Sequence, residues 1–410
     1  MSIHSTFFII LLVSLLGTLL IKANNEVSSF REECDANCVS ADHNATTLFE
    51  TILADDYEAL DDTLPKSIEE LKKRGAHRCW HKHSTFLQHL LGVHNILRLW
   101  DQNETIGRVG LFHSAYSNSY VNLALFDPNE AKERVLMKNL IGSDAEKLVT
   151  IFCSIDRQAI VVDTILKNSV IPESGLLAPH LRNKEEKVFL SPEVLYILVI
   201  FTMADIADQY FGWQDTLFGG EESVNSMLIP IESIDSHEST SIWPGISRPG
   251  LWMSYLSQIG SIAQTFASSH VETSGSVAFP VPPVFEKCTQ ILLRSDEIKA
   301  RDLYWSVVTG EIRTFDDVIL ALETSVKYNP WTFEPHVLLA QKYLHVNNFT
   351  KGETSATRAL HLQRQWGTAW DKRMSFAAWV AWTRVLLQRA QDQLEWPLSS
   401  WDVNNFGLVR

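Results

Sequence analysis

Histidine is concentrated in one part of this sequence of 410 residues. Six of the 14 histidines fall between positions 77 and 113. They are His77, His81, His83, His89, His94 and His113. Imidazole is a common ligand of divalent metal ions, and a carboxylate can complete such a site. The cluster therefore indicates a metal site that uses histidines as ligands.

Two of these histidines lie where short helices would hold them. The stretch 85–97 has apolar residues at the i, i+3, i+4 and i+7 spacing of a half-buried helix, and it carries His89. A second helical stretch, 104–112, ends immediately before His113. These two elements would position the first two candidate ligands.

A third predicted helix carries a carboxylate near its end. Ser191 followed by Pro and Glu is a favourable helix start, and the apolar helix that it opens runs to Asp205 and Asp208. A carboxylate at that depth needs a partner or a metal ion. Asp205 is therefore either a metal ligand or half of a buried pair, for which Arg157 is a candidate.

This arrangement resembles the HD-domain superfamily of metal-dependent phosphohydrolases. The resemblance implies that His89, His113 and Asp205 are ligands of a divalent ion such as Mn, Fe or Zn. Ser114 stands where the superfamily has the Asp of its His-Asp pair. Two His and one Asp can still hold one ion with open positions, but a clamp of two metal ions on a phosphate would be weakened.

The match is closer to an HD-like group of unknown function, found in plants, algae and bacteria, that carries the same Ser. The resemblance covers about Leu71 to Tyr210. It is carried by the motifs Thr85–Val93, Leu97–Trp100, Gly110–Tyr116 and Asp156-Arg157. The activity of that group is not established, so the resemblance implies a fold and leaves the reaction open.

Further side chains near these motifs could bind a ligand. Ser114, Tyr116 and Asn118 surround the end of the second helix, and we expect them to face the same cavity as His113. Asp156 and Arg157 form either a structural ion pair or a contact to a phosphate.

The N-terminus carries an uninterrupted apolar segment. Residues 7–21 form a run of 15 apolar and small residues. A spanning helix needs about 20, whereas the core of a signal peptide needs about 7–15. The length favours a cleaved signal peptide over residues 1–22, although no basic residue precedes the run. A signal anchor and a buried N-terminal helix are the alternatives.

Three glycosylation sequons, at Asn44, Asn103 and Asn348, agree with entry into the secretory pathway. The predicted location is luminal, extracellular or anchored by the one N-terminal segment. Of the five cysteines, Cys34 and Cys38 could be bridged in an oxidising lumen or stay as two thiols in a flexible stalk.

Composition shifts divide the rest of the chain. Residues 23–64 are predicted to form an acidic tether, 65–215 an HD-like helical domain, and 216–290 an irregular bridge with one helix. Residues 291–410 resemble tetratricopeptide repeats, because Phe315 and Phe349 recur at a spacing of 34 residues. We therefore predict an all-α protein.

The C-terminal region is also rich in tryptophan. Six of the 13 tryptophans lie in the last 45 residues, in and around a predicted long helix from Asp371 to Gln391. They are Trp366, Trp370, Trp379, Trp382, Trp396 and Trp401. We interpret them as interlocking core aromatics rather than a binding platform for sugars or peptides.

Charge and motifs limit the possible functions. The net charge of −14 argues against a nucleic-acid-binding surface. No phosphate-binding loop and no nucleophile elbow occurs in the sequence. Two hypotheses remain. One is a mononuclear metal-dependent phosphohydrolase that acts on a small phosphorylated molecule. The other is a catalytically inactive HD-like scaffold that binds a protein partner through its C-terminal helices.

Overall fold

A computed structural model of the chain describes residues 46–117, 124–183, 185–213, 247–274 and 279–399. The chain divides into two compact units, 1–50 and 51–410. The apolar run 7–21, the sequon at Asn44 and the pair Cys34 and Cys38 lie outside the described residues. None of the helices that the structure describes is both long and apolar enough to cross a membrane.

The N-terminal half of the larger unit is built from helices that differ in length. They are α1 (Tyr57–Leu60), α2 (Leu64–Lys73), α3 (Phe86–Leu99), α4 (Glu104–Phe112), α5 (Ala131–Ile141), α6 (Ser143–Ser154), α7 (Arg157–Ala159), a π-helical stretch (Ile160–Leu166) and α8 (Pro192–Gln209). In the described ranges, β structure is confined to two antiparallel hairpins and an isolated bridge. The hairpins pair β1 (Trp80–His81) with β2 (Ser84–Thr85) and β3 (Leu176–Pro179) with β4 (Lys187–Leu190).

Side-chain caps fix where α3, α4 and α8 begin. The Thr85 hydroxyl accepts from the amide of Gln88, whose side chain reaches back to the Thr85 amide, so that α3 begins with a capping box. Asn103 caps α4 and Ser191 caps α8 in the same manner. Because α3 packs against both α4 and α8, these starts determine which residues face one another.

The C-terminal half consists of helices that pack in succession. They are α9 (Met253–Ser274), a single left-handed turn α10 (Val284–Cys288), α11 (Arg294–Val308), α12 (Phe315–Tyr328), α13 (Glu334–His345), α14 (Phe349–Trp366) and α15 (Phe376–Gln391). From α11 onward each helix packs against the next one. The all-α prediction is confirmed.

Aromatic side chains join the two halves of the larger unit. Trp366 makes edge-to-face contacts with Trp100, Trp252 and Phe285. The indole of Trp100, at the end of α3, donates to the carbonyl of Gln365 at 2.8 Å. Trp370 and Trp379 are also buried, whereas Trp382 and Trp396 pack at the edge of the C-terminal core. The five C-terminal tryptophans that the structure describes therefore serve packing, as expected; Trp401 lies beyond the described range.

The segment between α14 and α15 differs from the sequence-based expectation. A long helix was predicted from Asp371 to Gln391, but α15 begins only at Phe376. The amides of Trp370 and Asp371 instead donate to one oxygen of Glu334, at 2.7 and 2.9 Å. This buried carboxylate holds 367–375 as a turn that lies against the N-terminal half.

We expect Glu334 to make stability depend on pH. Burial raises the pKa of Glu334 from 4.5 to about 7, although the amides of Asp371 and Trp370 oppose the rise. Since the folded chain binds this proton more tightly than the unfolded chain, stability is lost as pH rises from about 4.5 to about 7. Denaturant unfolding is measured at pH 5 and pH 8. Between these pH values, the free energy of unfolding of Glu334→Gln should rise by up to about 3 kcal/mol relative to that of the wild type. The exposed Glu58→Gln serves as the control. Parallel pH dependence of Glu334→Gln and wild type would contradict the assignment.

Candidate metal centre

The three predicted ligands converge at the meeting point of α3, α4 and α8. His89 lies in the first turn of α3, His113 ends α4, and Asp205 lies near the end of α8. Their relative exposures are 2, 2 and 8 %, so the group is buried. One possible ligand atom from each residue lies within 4.8 Å of the other two. This buried cluster could hold a metal ion.

The two imidazoles approach Asp205 with the same nitrogen. The Nε2 atoms of His89 and His113 lie 3.3 and 3.7 Å from Asp205 Oδ1. The rings meet edge to face, with their centroids 5.1 Å apart. The two nitrogens and the carboxylate oxygen therefore face one shared point.

The other nitrogen of each ring is fixed by an outside acceptor. His89 Nδ1 donates to Asp208 Oδ2 at 2.7 Å, and His113 Nδ1 donates to the carbonyl of Gly110 at 2.7 Å. Bonds of this kind set the tautomer and the orientation of histidines that bind metals. The arrangement leaves both Nε2 atoms directed at Asp205.

Asp208 was not assigned a role from the sequence. It lies three residues after Asp205 on α8 and is buried. The available signal was the spacing itself, since residues i and i+3 share a helix face. An acidic pair on one face of an otherwise apolar helix predicts a second carboxylate beside the first.

The electrostatic state of the cluster follows from these contacts. Burial of His89 disfavours its proton, but the hydrogen bonds and charges of Asp205 and Asp208 outweigh this and raise the pKa of His89 to about 9. Burial lowers the pKa of His113 to about 3, although Asp205 opposes it. The pKa of Asp205 and that of Asp208 fall below the ordinary value despite burial, because of the neighbouring histidines. At neutral pH His113 is thus a neutral imidazole, the form that ligates metals.

Arg157 lies beside the cluster, whereas Asp156 does not take part in it. Arg157 Nη1 is 3.7 Å from Asp205 Oδ2, and the guanidinium stacks 4.7 Å above the ring of Phe201. The pairing of Asp205 with Arg157 that the sequence suggested is therefore present, alongside the histidine contacts. Asp156 instead caps α7 by accepting from the amide of Ala159 at 3.1 Å.

Two more side chains border the cluster. Gln209 donates to Asp205 Oδ1 at 3.1 Å, and its own oxygen accepts from His81 Nε2 at 3.4 Å. The His81 ring packs on His89 with centroids 4.7 Å apart. Burial lowers the pKa of His81 to about 4, so this ring is neutral at physiological pH. His81 therefore lies next to the candidate ligands.

Of the residues that follow His113, Ser114 lies beside it, whereas the Tyr116 hydroxyl binds elsewhere. Ser114 is buried directly beside it. The hydroxyl of Tyr116 donates to Glu146 at 3.1 Å, a carboxylate that also accepts from Arg134 at 2.8 Å. The Tyr116 hydroxyl is thus bound to a separate polar group, and Asn118 lies outside the described residues.

The described sequons are at helix starts. The side-chain oxygen of Asn103 accepts from the amide of Ile106 at 3.0 Å, and that of Asn348 accepts from the amide of Lys351 at 3.2 Å. Both asparagines are exposed.

Comparison with known proteins gives one match. Residues 70–157 match a protein-family model described as a domain of unknown function (DUF6817). No curated protein and no solved structure matches the chain. The matched segment contains His89 and His113 but ends before Asp205, so the family model covers only part of the cluster.

We expect Gly92→Ala to disrupt the cluster. Gly92 is one turn after His89 on α3, and a Cβ at this position would lie 2.0 Å from Asp208 Oδ1. Asp208 would have to leave His89, so the free energy of unfolding in urea should fall by at least ~2 kcal/mol. The matched control is Gly352→Ala in α14, where the nearest neighbour is a flexible Leu344 side chain at 3.3 Å. Equal effects of the two substitutions would contradict this packing.

Proposed function

We propose that the protein is a mononuclear metal-dependent phosphohydrolase whose metal ion is held by His89, His113 and Asp205. One observation carries the proposal. The Nε2 atoms of both imidazoles face one carboxylate oxygen, and each Nδ1 is bound to an acceptor outside the cluster. A histidine that ligates a metal typically donates its other ring N–H to a carboxylate or a backbone carbonyl, and both histidines do so here.

The donor set suits a first-row divalent ion. Two imidazoles and one carboxylate form the set found in mononuclear Fe sites with open positions, and Mn and Zn accept the same donors. His113 is neutral, as a ligand must be. The proton on His89 would leave when an ion binds, so that metal affinity rises with pH.

The surrounding side chains suit an anionic substrate. A bound divalent ion would supply Lewis-acid polarisation of a phosphate and activation of water. Arg157 makes no side-chain hydrogen bond to any residue in the described ranges, and its side chain is 10 % exposed. A guanidinium with free N–H groups beside such a site can bind two phosphate oxygens at once. Arg157 would orient the substrate, and Asp208 would keep His89 in place.

The order of these residues supports the proposed relation to HD-domain phosphohydrolases. By that resemblance, His89, His113 and Asp205 would correspond to the superfamily's ligands, and Ser114 would replace the Asp of the pair. Ser114 is neutral, so the site would hold one ion rather than two. The substrate would be a small phosphorylated molecule.

A second candidate function has an observation in its favour. The protonated His89 lies between the carboxylates of Asp205 and Asp208, and Arg157 lies 3.7 Å from Asp205, so two positive charges balance two negative charges without a metal ion. In this alternative the cluster is structural, and a protein partner binds the tetratricopeptide-like C-terminal helices. Metal content separates the two candidates.

Elemental analysis of the purified chain tests the proposal. We expect about one equivalent of Mn, Fe or Zn in the wild type, because three buried donors face one point. His113→Ala should retain less than about a tenth of that amount. His361→Ala, which removes an exposed histidine of α14, should keep the full content. A wild type without metal, even after incubation with each ion, would favour the scaffold alternative. Metal-loaded wild type is then assayed on p-nitrophenyl phosphate and bis-p-nitrophenyl phosphate.

We also propose a location in the secretory pathway, luminal or held by residues 1–22. The support is the apolar run together with sequons whose asparagines are exposed. In eukaryotic cells, Asn348→Gln should increase mobility on a gel relative to wild type, because one glycan is lost. Asn348→Asp should show the same shift while keeping the oxygen that caps α14. Identical mobility of all three proteins after expression would argue against a luminal C-terminal region.

A further inference from the structure

One lysine from the C-terminal half reaches the helix that carries Asp205 and Asp208. Lys372 lies in the turn between α14 and α15. Its Nζ donates to the carbonyl of Ala207 at 2.9 Å and to the hydroxyl of Thr368 at 2.6 Å. Ala207 lies between the two acidic residues on α8.

This contact falls at the end of α8, where a helix needs outside donors. The last carbonyls of a helix lack amide partners within the helix and carry its negative dipole end. A lysine ammonium supplies both a donor and a positive charge there. Since Asp205 and Asp208 belong to the same final turns, the donor that binds Ala207 also restrains their backbone.

Charge adds to this restraint. Lys372 attracts the carboxylate of Asp208, the group that holds His89 Nδ1. Burial lowers the pKa of Lys372 to about 8, with Asp208 and Glu334 opposing the change. His83, whose pKa burial lowers to about 4, also faces Lys372 and Asp208 and stays neutral.

The turn that presents Lys372 is itself fixed from several sides. Glu334 binds the amides of Trp370 and Asp371, and the Trp370 indole donates to the carbonyl of Gly250 at 2.8 Å. Gly367 ends α14 with φ of 66°, and a Cβ there would lie 2.6 Å from the side chain of Leu99 at the end of α3. The position of Lys372 is therefore set by the C-terminal half and by α3.

We infer that Lys372 is a positioning residue of the metal centre, through which the C-terminal helical half completes a site whose three candidate ligands all lie in the N-terminal half. This inference rests on the proposed function for the role of the cluster. The part of the inference in which Lys372 holds Asp208 against His89 does not require a bound ion. The C-terminal half would then control metal affinity.

The test uses the full chain labelled with ¹⁵N-histidine and free of metal. The buried Nδ1–H of His89 should give an imidazole proton signal that exchanges slowly with water, assigned by its loss in His89→Gln. In Lys372→Met this proton should exchange at least about tenfold faster, and the Mn²⁺ dissociation constant should rise about tenfold or more. Lys372→Arg, which keeps the charge and donors, should recover part of both changes.

Two further variants keep the test decisive. Lys351→Met removes an exposed lysine of α14 that pairs with Glu323, and it should leave the exchange rate unchanged. Thr368→Val removes one hydrogen-bond partner of Lys372 but keeps the charge of the lysine. It should therefore accelerate exchange of the His89 proton less than Lys372→Met does. If Lys372→Met does not fold, Thr368→Val replaces it in the test. Wild-type exchange rates in Lys372→Met, or in Thr368→Val where that variant replaces it, would overturn the inference. A wild type that binds none of Mn²⁺, Fe²⁺ and Zn²⁺ would refute the proposed function instead, and the proton signal would still decide the role of Lys372.

Discussion

The buried carboxylate of Asp205 is the constraint on which the site and its surroundings depend. An ionised carboxylate inside an apolar helix bundle is unfavourable unless charges and hydrogen bonds compensate for its lost hydration. Here His89, His113, Gln209 and Arg157 all face it. The same geometry suits a divalent ion, which would replace the proton of His89 as the compensating charge.

Satisfying this carboxylate places demands on distant parts of the chain. Asp208 must approach α3 closely enough to bind His89, and only glycine at position 92 leaves room for it. The end of α8 must be held in register, and Lys372 supplies a donor there from beyond α14. The aromatic contacts of Trp366 keep the two halves together. The C-terminal helices thus support the cluster although they contribute none of its three candidate ligands.

Much of this could be predicted from local sequence, and most of the failures depend on long-range contacts. Periodicity and capping residues gave the helices around His89 and His113 to within a few residues, and the apolar run before Asp205 indicated a buried carboxylate. The role of Asp208 depends on what its side chain meets on another helix. The late start of α15 depends on Glu334, which is 36 residues from Trp370 in sequence. The strands of the two hairpins are too short to show the alternating pattern of a β-strand. No local signal in the sequence identifies Lys372 as a hydrogen-bond donor to the end of α8.

Anomalous diffraction from crystals of the full chain soaked in Zn²⁺ tests the central claim most directly. The predicted result is one strong peak between the Nε2 atoms of His89 and His113 and the Asp205 carboxylate, at about 2.0–2.2 Å from each. His89 Nδ1 should stay on Asp208 and His113 Nδ1 on the Gly110 carbonyl. Absence of a peak there, with the His89–Asp205 contact retained at high Zn²⁺ concentration, would show that the cluster is a structural ion network and not a metal centre.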